Sequence, residues 1–517
     1  MTSIKADKPI QKVLIVGGGA AGWISACVIA ATAKKQDRDL AITLVESNNI
    51  PLLGVGEGTW PSMRQTLQSI GIRETDFLSD CDASFKQGSE FIDWTRSGHS
   101  YFHPFSLPQA YSSLSLSPYC DFDQDFSKQV TPQPEVCERF LAPKQQQMPD
   151  YAFALNYGYH LDAVKFAKLL QAHGTTKLGV RHCFGDVSAV DVHEESIRSV
   201  SLESGERLTA DFFIDCTGSK ALLLGEALRT PLISVESILP NNRAIAVQVP
   251  YASLDEDIES VTKSTAQRVG WIWDIGLQSR RGIGQVYADG YISDADAEQQ
   301  LKAYVERTAP HVNFSELPKK YLKFTPGHRE QFWKSNCVAI GMSAGFIEPL
   351  EASALALIEQ SARFVAEKLP FNSAKLPIVA KRFNRKFLYH WQGIVDFLSL
   401  HYVLSQRNDS DYWVKMSHVA SSSESLREAL SLWEERLPSH DERPMIDELF
   451  PIASYLYVLL GMNFRSQSCK PLSHTEAAKK AFNDVQSFKQ QCLNRLPTNR
   501  ALLTNIKSSS KSDAPIV

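Results

Sequence analysis

The sequence predicts an α/β fold: a parallel sheet of the dinucleotide-binding kind, with an inserted β-sheet and a largely helical C-terminal region. Three observations lead there. Residues 12–46 read as strand, helix, strand around a glycine-rich turn. Strand patterns return around 177–217 and alternate over 240–290. From residue 351 onward, helical patterns dominate.

Val13-Leu14-Ile15-Val16 is short and wholly apolar, as expected of a strand covered on both faces. Gly17-Gly18-Gly19-Ala20-Ala21-Gly22 follows, then an alanine-rich helix over Trp23 to Ala33 and a second strand, Ala41 to Val45, ending at Glu46. Residues 51–95 read as turn-rich, then helical. Residues 96–150, dense in Pro, Ser, Gln and aromatics, read as a long surface excursion. Tyr159-His160-Leu161-Asp162 reads as the opening of an amphipathic helix. The expected organisation is a discontinuous cofactor domain (1–95, 155–235 and 325–380), an inserted substrate-side part (96–154 and 236–324), a helical substrate-binding region (381–500) and a loose tail (501–517).

The chain has 517 residues, 43% hydrophobic and 22% charged, enough to bury a large core. A net charge of −4 gives no electrostatic basis for binding nucleic acid or anionic lipid. No apolar run of ~18 residues predicts a membrane span. The polar start, Met1 to Gln11, lacks a signal-peptide core. Nine scattered cysteines form no CxxC motif and no Cys/His cluster. A reduced, cytoplasmic protein without structural metal is expected, as a monomer or a homodimer.

Gly17-x-Gly19-x-x-Gly22 stands between strand and helix. Gly17 permits the tight turn, Gly19 lets backbone approach a pyrophosphate, and Gly22 lets the helix pack on the strand. The helix N-terminus faces the phosphate charge, and Glu46 can accept from a ribose hydroxyl. Two further segments select FAD over NAD. Asp211-x-x-Ile214-Asp215-x-Thr217-Gly218 resembles the strand-end motif of two-dinucleotide flavoproteins. Val338 to Gly345 reads as a strand running into a turn at the flavin. A Rossmann-like fold of the flavin-monooxygenase type follows. Gly282-Ile283-Gly284 lies in a strand-like context, so a built-in NAD(P)H domain is not expected.

Several segments together resemble the flavin-dependent tryptophan halogenase family: Gly17–Trp23, Gly54–Pro61 (GVGEGTWP), Ala83-Ser84-Phe85-Lys86, His160-Leu161-Asp162, Trp271-Ile272-Trp273-Asp274-Ile275, and Phe346-Ile347-Glu348-Pro349-Leu350-Glu351. His401-Tyr402 and Leu404-Ser405-Gln406-Arg407 are also family-like. The resemblance implies that reduced FAD, O2 and chloride or bromide yield hypohalous acid, which passes inside the protein to a separate site for a small aromatic, indole-type substrate. It also implies a separate flavin reductase as the source of FADH2.

It implies site residues as well. Lys86 resembles the catalytic lysine, able to donate a hydrogen bond to hypohalous acid or, as a free amine, to form a haloamine. Glu351 resembles the carboxylate that stabilises a cationic arene intermediate and takes its proton. Glu348 is a second carboxylate, and spacing alone does not choose between them. Gly17, Gly19, Ala20, Gly22, Trp23, Glu46, Gly56, Glu57, Val187, Met342 and Leu355 form the expected cofactor set. Backbone N–H groups at Ser353 and Ala354 are expected to hold the halide. His103 and Phe105 would sandwich the arene, with Phe450 and Tyr455 closing the site. Trp271 and Trp273 would separate arene from flavin. Ala352-Ser353-Ala354 replaces the family's Ser-Thr-Gly, and Gly276 replaces a proline. The apolar stretch 448–457 shows no clamp for the amino-acid end of free tryptophan.

Two other functions fit less of the sequence. An NAD(P)H-dependent flavin aromatic hydroxylase would carry a Gly-Asp pair where Gly341-Met342 stands. A non-catalytic flavin-binding descendant would account for Gly276, Ala352 and Ala354.

Overall fold

The computed structural model describes residues 8–49, 54, 56–439, 442, 448–467 and 472–512. Its cofactor half is built on a six-stranded sheet in the order 333–334, 337–339, 212–215, 12–16, 41–46, 181–184. The inner strands run parallel, with Val16 opposite Asp215 and Val45, and the edge strand 333–334 runs antiparallel. Ile15, Leu44, Phe213 and Ile214 are fully buried, as a sheet covered on both faces requires. The helix Ala20–Lys35 packs on it, joined by the helices Ala163–Thr176 and Ser353–Lys368.

A seven-stranded sheet forms the second layer, in the order 319–323, 243–250, 280–287, 271–276, 262–266, 88–92, 100–104. All neighbours are antiparallel except 262–266 beside 88–92. The two-residue period of the strand Trp271–Gly276 sends Trp271, Trp273 and Ile275 to one face and Ile272 and Asp274 to the other. Asp274 there pairs with Arg281 and accepts from Tyr304 Oη at 3.0 Å. Trp273 lies opposite Gly284, where a Cβ would come within 2.2 Å of the indole. The glycines at 282–284 are therefore seats for large neighbours inside a strand.

A three-stranded sheet joins the two layers. Its central strand, Gly158–Asp162, pairs with Gly56–Gly58 on one side and Ser84–Lys86 on the other. A helix was expected to open at Tyr159. Instead all five residues of this strand are buried, so its sequence shows no two-residue alternation. The helix begins only at Ala163, with Asp162 capping Val164 N and Lys165 N at 3.0 and 3.1 Å. Residues 96–150 also depart from expectation. They contain the strand Ser100–Pro104 and two short helices, and bury Tyr101, Leu116, Val130 and Val136.

The C-terminal region is helical, led by Leu376–Val403 with 28 residues. The tail expected from 501 is instead part of the helix Asn499–Ser512. Buried Asn499, Leu502 and Leu503 fasten it, and Arg500 donates to Glu256 O at 2.7 Å. Three anchors on one face outweigh the polar Ser508-Ser509-Ser510 run; residues 513–517 lie outside the described residues. No helix among the described residues is long and apolar enough to cross a membrane.

Gly284→Ala forces Trp273 or the Ile245 carbonyl, 2.6 Å from the new Cβ, to move, and should cost about 1–3 kcal/mol. Gly290→Ala meets nothing within 4 Å and should stay within about 0.5 kcal/mol. Denaturant unfolding of the two variants checks this; equal stability would contradict the packing described.

Candidate active site

The glycine loop forms a cradle. Gly17 turns with φ +113°, and a Cβ there would sit 2.1 Å from Cys216 O. A Cβ at Gly22 would sit 1.9 Å from Gly17 O. Gly18, outside the expected set, is equally constrained: the Glu46 carboxylate lies where its side chain would be. The helix N-cap, Gly19, has no side-chain cap, and the first turn holds no acid, so its N–H groups stay available to an anion. Asp215 fixes the neighbouring turn, accepting from Thr217 N, Leu223 N and Leu224 N at 2.8–3.0 Å. Gly341 packs against Ala21, which brings the turn Gly341–Ser343, with Met342, to the same end of the sheet. A loop free of side chains, an uncapped helix and a carboxylate beside it fit a dinucleotide such as FAD.

Burial pushes the Glu46 carboxyl up, opposed by His182, 2.7 Å away, and by a hydrogen bond from Trp23. Trp23 itself is core: its ring packs edge-on against His182 at 5.1 Å, and its hydrogen bond goes to Glu46. Val187 sits in a strand of the small antiparallel sheet, packed on the apolar cluster beneath the loop. Leu355 is buried in the first turn of the helix Ser353–Lys368, and Glu57 pairs with Leu161 in the joining sheet.

The second centre gathers residues from distant segments. Lys86 is 1% exposed. Its Nζ stands 5.4 Å from the Phe105 ring centroid. A side chain at Gly58 would meet that Nζ at 3.1 Å and Ala352 Cβ at 3.3 Å. Among the described residues no hydrogen bond or ion pair reaches this ammonium. Burial lowers Lys86 to about 8, and the Glu351 charge opposes the fall.

Glu351 Oε1 meets His103 Nδ1 at 2.7 Å and His401 Nε2 at 3.1 Å. Burial would raise this carboxyl; His103, His401 and Lys86 together outweigh burial and hold it below the usual carboxylate range. Burial also pushes His401 down to about 4. His401 is therefore neutral and must carry its proton on Nε2, because an ionised carboxylate only accepts. His401 was legible only as part of a family-like run. Trp60, also unassigned from sequence, donates from Nε1 to Glu351 O at 2.7 Å. Glu351 and Ala352 are both left-handed, φ 63° and 54°, a conformation costing about 1–2 kcal/mol per residue away from glycine.

Glu348 takes another part. Its Oε2 accepts from Trp271 Nε1 at 2.6 Å, Asn241 Nδ2 at 2.8 Å and Tyr402 Oη at 2.8 Å. It thus ties the tryptophan strand to the loop that carries Glu351. Trp271 and Trp273 stand 6.4 Å apart at 63°. A Cβ at Gly56 would strike Ile275, so Gly56–Gly58 runs from the tryptophan face to Lys86. Gly276 packs against Ile258 and Tyr251, with room for no side chain, and its carbonyl accepts from Ser84 Oγ at 2.5 Å. Ser353 opens its helix without a side-chain cap, and Ala354 is exposed on the first turn.

Phe450 stacks on Phe397 at 3.9 Å and meets Trp60 edge-on at 4.9 Å, one ring from the Glu351 backbone. Tyr455 is buried against Phe397 and Trp433, supporting this wall from behind.

Gly22→Val drives a side chain into the Gly17 carbonyl, and should weaken FAD binding by at least about tenfold in a fluorescence titration. Unchanged affinity would move the cofactor elsewhere.

The family model described as Tryptophan halogenase matches residues 12–478. A tryptophan 6-halogenase of Streptomyces toxytricini is 31% identical over 94% of this chain and 97% of its own. A solved tryptophan halogenase from Shewanella frigidimarina is 44% identical, with TM-score 0.93 over 97% of this chain and 98% of that one. A solved flavin-dependent tryptophan C-6 halogenase from taromycin biosynthesis is 30% identical, with TM-score 0.89 over 96% of this chain and 100% of that one. These relatives are halogenases, and the hydroxylase alternative finds no support among them. The chain belongs to the tryptophan halogenase family and is a flavin-dependent halogenase.

Proposed function

We propose that the enzyme halogenates an electron-rich arene of the indole class, with Lys86 and Glu351 acting together at the substrate. One observation carries this reading: a buried ammonium, without a hydrogen bond or ion pair among the described residues, stands in the field of a buried, ionised carboxylate. Reduced FAD supplies the activation of O2 that oxidises chloride or bromide. The residues that would hold FAD are Gly17, Gly19, Ala20, Gly22 and Glu46, with the Gly341–Ser343 turn. Among the described residues only one glycine loop joins a strand to a helix in the dinucleotide manner, so we assign reduction to a separate flavin reductase in the cytoplasm. N–H groups at Ser353 and Ala354 hold the halide.

Lys86 in its ammonium form donates a hydrogen bond to the oxygen of hypohalous acid and weakens the oxygen–halogen bond. The arene π-system attacks the halogen, water leaves after the lysine proton is supplied, and the ring becomes cationic. Glu351 stabilises that cation and takes the ring proton. His401 and His103 hold the carboxylate in place. His103 and Phe105 flank the arene, with Phe450 at its edge. Trp271 and Trp273 keep it from the flavin side.

The relatives named above act on tryptophan by name, which supports an indole ring. The apolar stretch 448–457 offers aromatic rings in place of a recognisable amino-acid clamp, which supports recognition through the ring of the arene.

With a flavin reductase, O2 and each halide, product mass should reveal a halogenated arene from a panel of indole, tryptophan and indole-bearing peptides. Oxygenated products alone would refute the reading. Lys86→Ala should abolish halogenation while flavin reoxidation stays within about twofold. Glu351→Gln should lower kcat by roughly 10²-fold. Retained halogenation by Lys86→Ala would remove this lysine from the chemistry.

A further inference from the structure

Phe105 follows the strand Ser100–Pro104, and the backbone N–H and C=O groups of Phe105 and Ser106 are all held. Phe105 N donates to Gln87 O at 2.9 Å. Phe105 O accepts from Asn156 Nδ2 at 3.0 Å. Ser106 N donates to Gln133 Oε1 at 2.7 Å, and Ser106 O accepts from Tyr457 Oη at 2.9 Å. Three of these four partners are side chains, drawn from three separate segments.

Those side chains are themselves tied together. Gln133 Nε2 donates to Asn156 O at 2.7 Å and to Gln87 Oε1 at 3.2 Å. Gln87 Nε2 donates to Leu141 O at 2.8 Å. Arg64 donates to Asn156 Oδ1, its guanidinium stacked over Phe153 and Tyr157 at 4.2 and 4.5 Å. Gln87 and Gln133 are fully buried. Gln87 also follows Lys86 directly in the chain, so one residue joins the amide frame to the lysine strand.

Buried polar networks are costly when incomplete and rigid when complete, and amide bonds fix direction where apolar packing fixes only distance. A hydrophobic loop would have secured Phe105 more simply if its angle did not matter. We infer that Gln133 and Asn156 are positioning residues: with Gln87 and Tyr457 they set the Phe105 ring against Lys86 Nζ, and so decide which carbon of the arene meets the halogen. This rests on Phe105 being the substrate wall, as proposed above.

The test compares Asn156→Ala, Gln133→Ala and the near-isosteric Tyr457→Phe with Phe105→Ala, in the full-length enzyme supplied with FAD, reductase and bromide. Indole is the first probe, followed by the preferred arene of the panel. The readouts are the ratio of bromo-isomers, kcat, KM, flavin reoxidation and the thermal midpoint. The frame variants should spread the isomer ratio and raise KM by at least about threefold, with flavin reoxidation unchanged. Tyr457→Phe should shift both in the same direction by less. A lower thermal midpoint with unchanged isomer ratio and KM would show a structural role only and overturn the inference. If Phe105→Ala shifts isomers and the frame variants do not, the inference falls alone. If Phe105→Ala itself changes neither, the wall assignment falls and takes the frame with it.

Discussion

The site depends on a buried positive charge being tolerated. An ammonium 1% exposed is expensive in a low-dielectric interior, and no ion pair among the described residues relieves it. The field of Glu351 opposes the fall that burial imposes on Lys86. That carboxylate is in turn kept ionised, against its own burial, by His103, His401 and the lysine. The two charges stabilise each other without closing into a contact pair, which leaves the ammonium able to donate to a guest. Backbone strain at Glu351 and Ala352 belongs to this arrangement. The two left-handed residues let the loop turn its carboxylate inward, while Trp60 holds the carbonyl.

Glu348 and Glu351 show how neighbouring carboxylates of one motif acquire different work. Glu348 is saturated on one oxygen by an indole, an amide and a phenol, and burial raises its carboxyl. It anchors. Glu351 faces two imidazoles and an amine. The joining sheet then sets the distances: its middle strand holds Gly58 on one side and Lys86 on the other, so the segment reaching from the tryptophan face ends at the lysine. Glycines at 56, 58, 276 and 284 recur where backbone must pass close to a large side chain.

Local chemistry was legible in the sequence, and long-range assembly was not. The strand, GxGxxG turn, helix and Glu46 span 35 residues, and sequential spacing nearly dictates their geometry. Lys86 and Glu351 lie 265 positions apart, and only resemblance joined them. Spacing left Glu348 and Glu351 equal, and the family resemblance alone selected Glu351. Gly158–Asp162 was misread because a strand buried on both faces loses its alternation. The terminal helix was misread because its composition is polar while three buried side chains fasten it. Trp23 and Tyr455 carried the right residue types for contact with a ligand, yet each is turned into the core, a matter of helix phase that composition does not reveal.

The most direct test is the alkaline limb of coupling: the fraction of flavin turnovers that end in halogenated product, measured from pH 6 to 10 in the wild type and in Glu351→Gln. With the lysine acting as ammonium near a pKa of about 8, coupling is full below that pH and is lost as pH rises through it. The carboxylate raises the lysine pKa, so its neutral replacement should move the residual limb of Glu351→Gln to lower pH. A coupling that rises above pH 8, or a limb that Glu351→Gln leaves in place, would contradict the account.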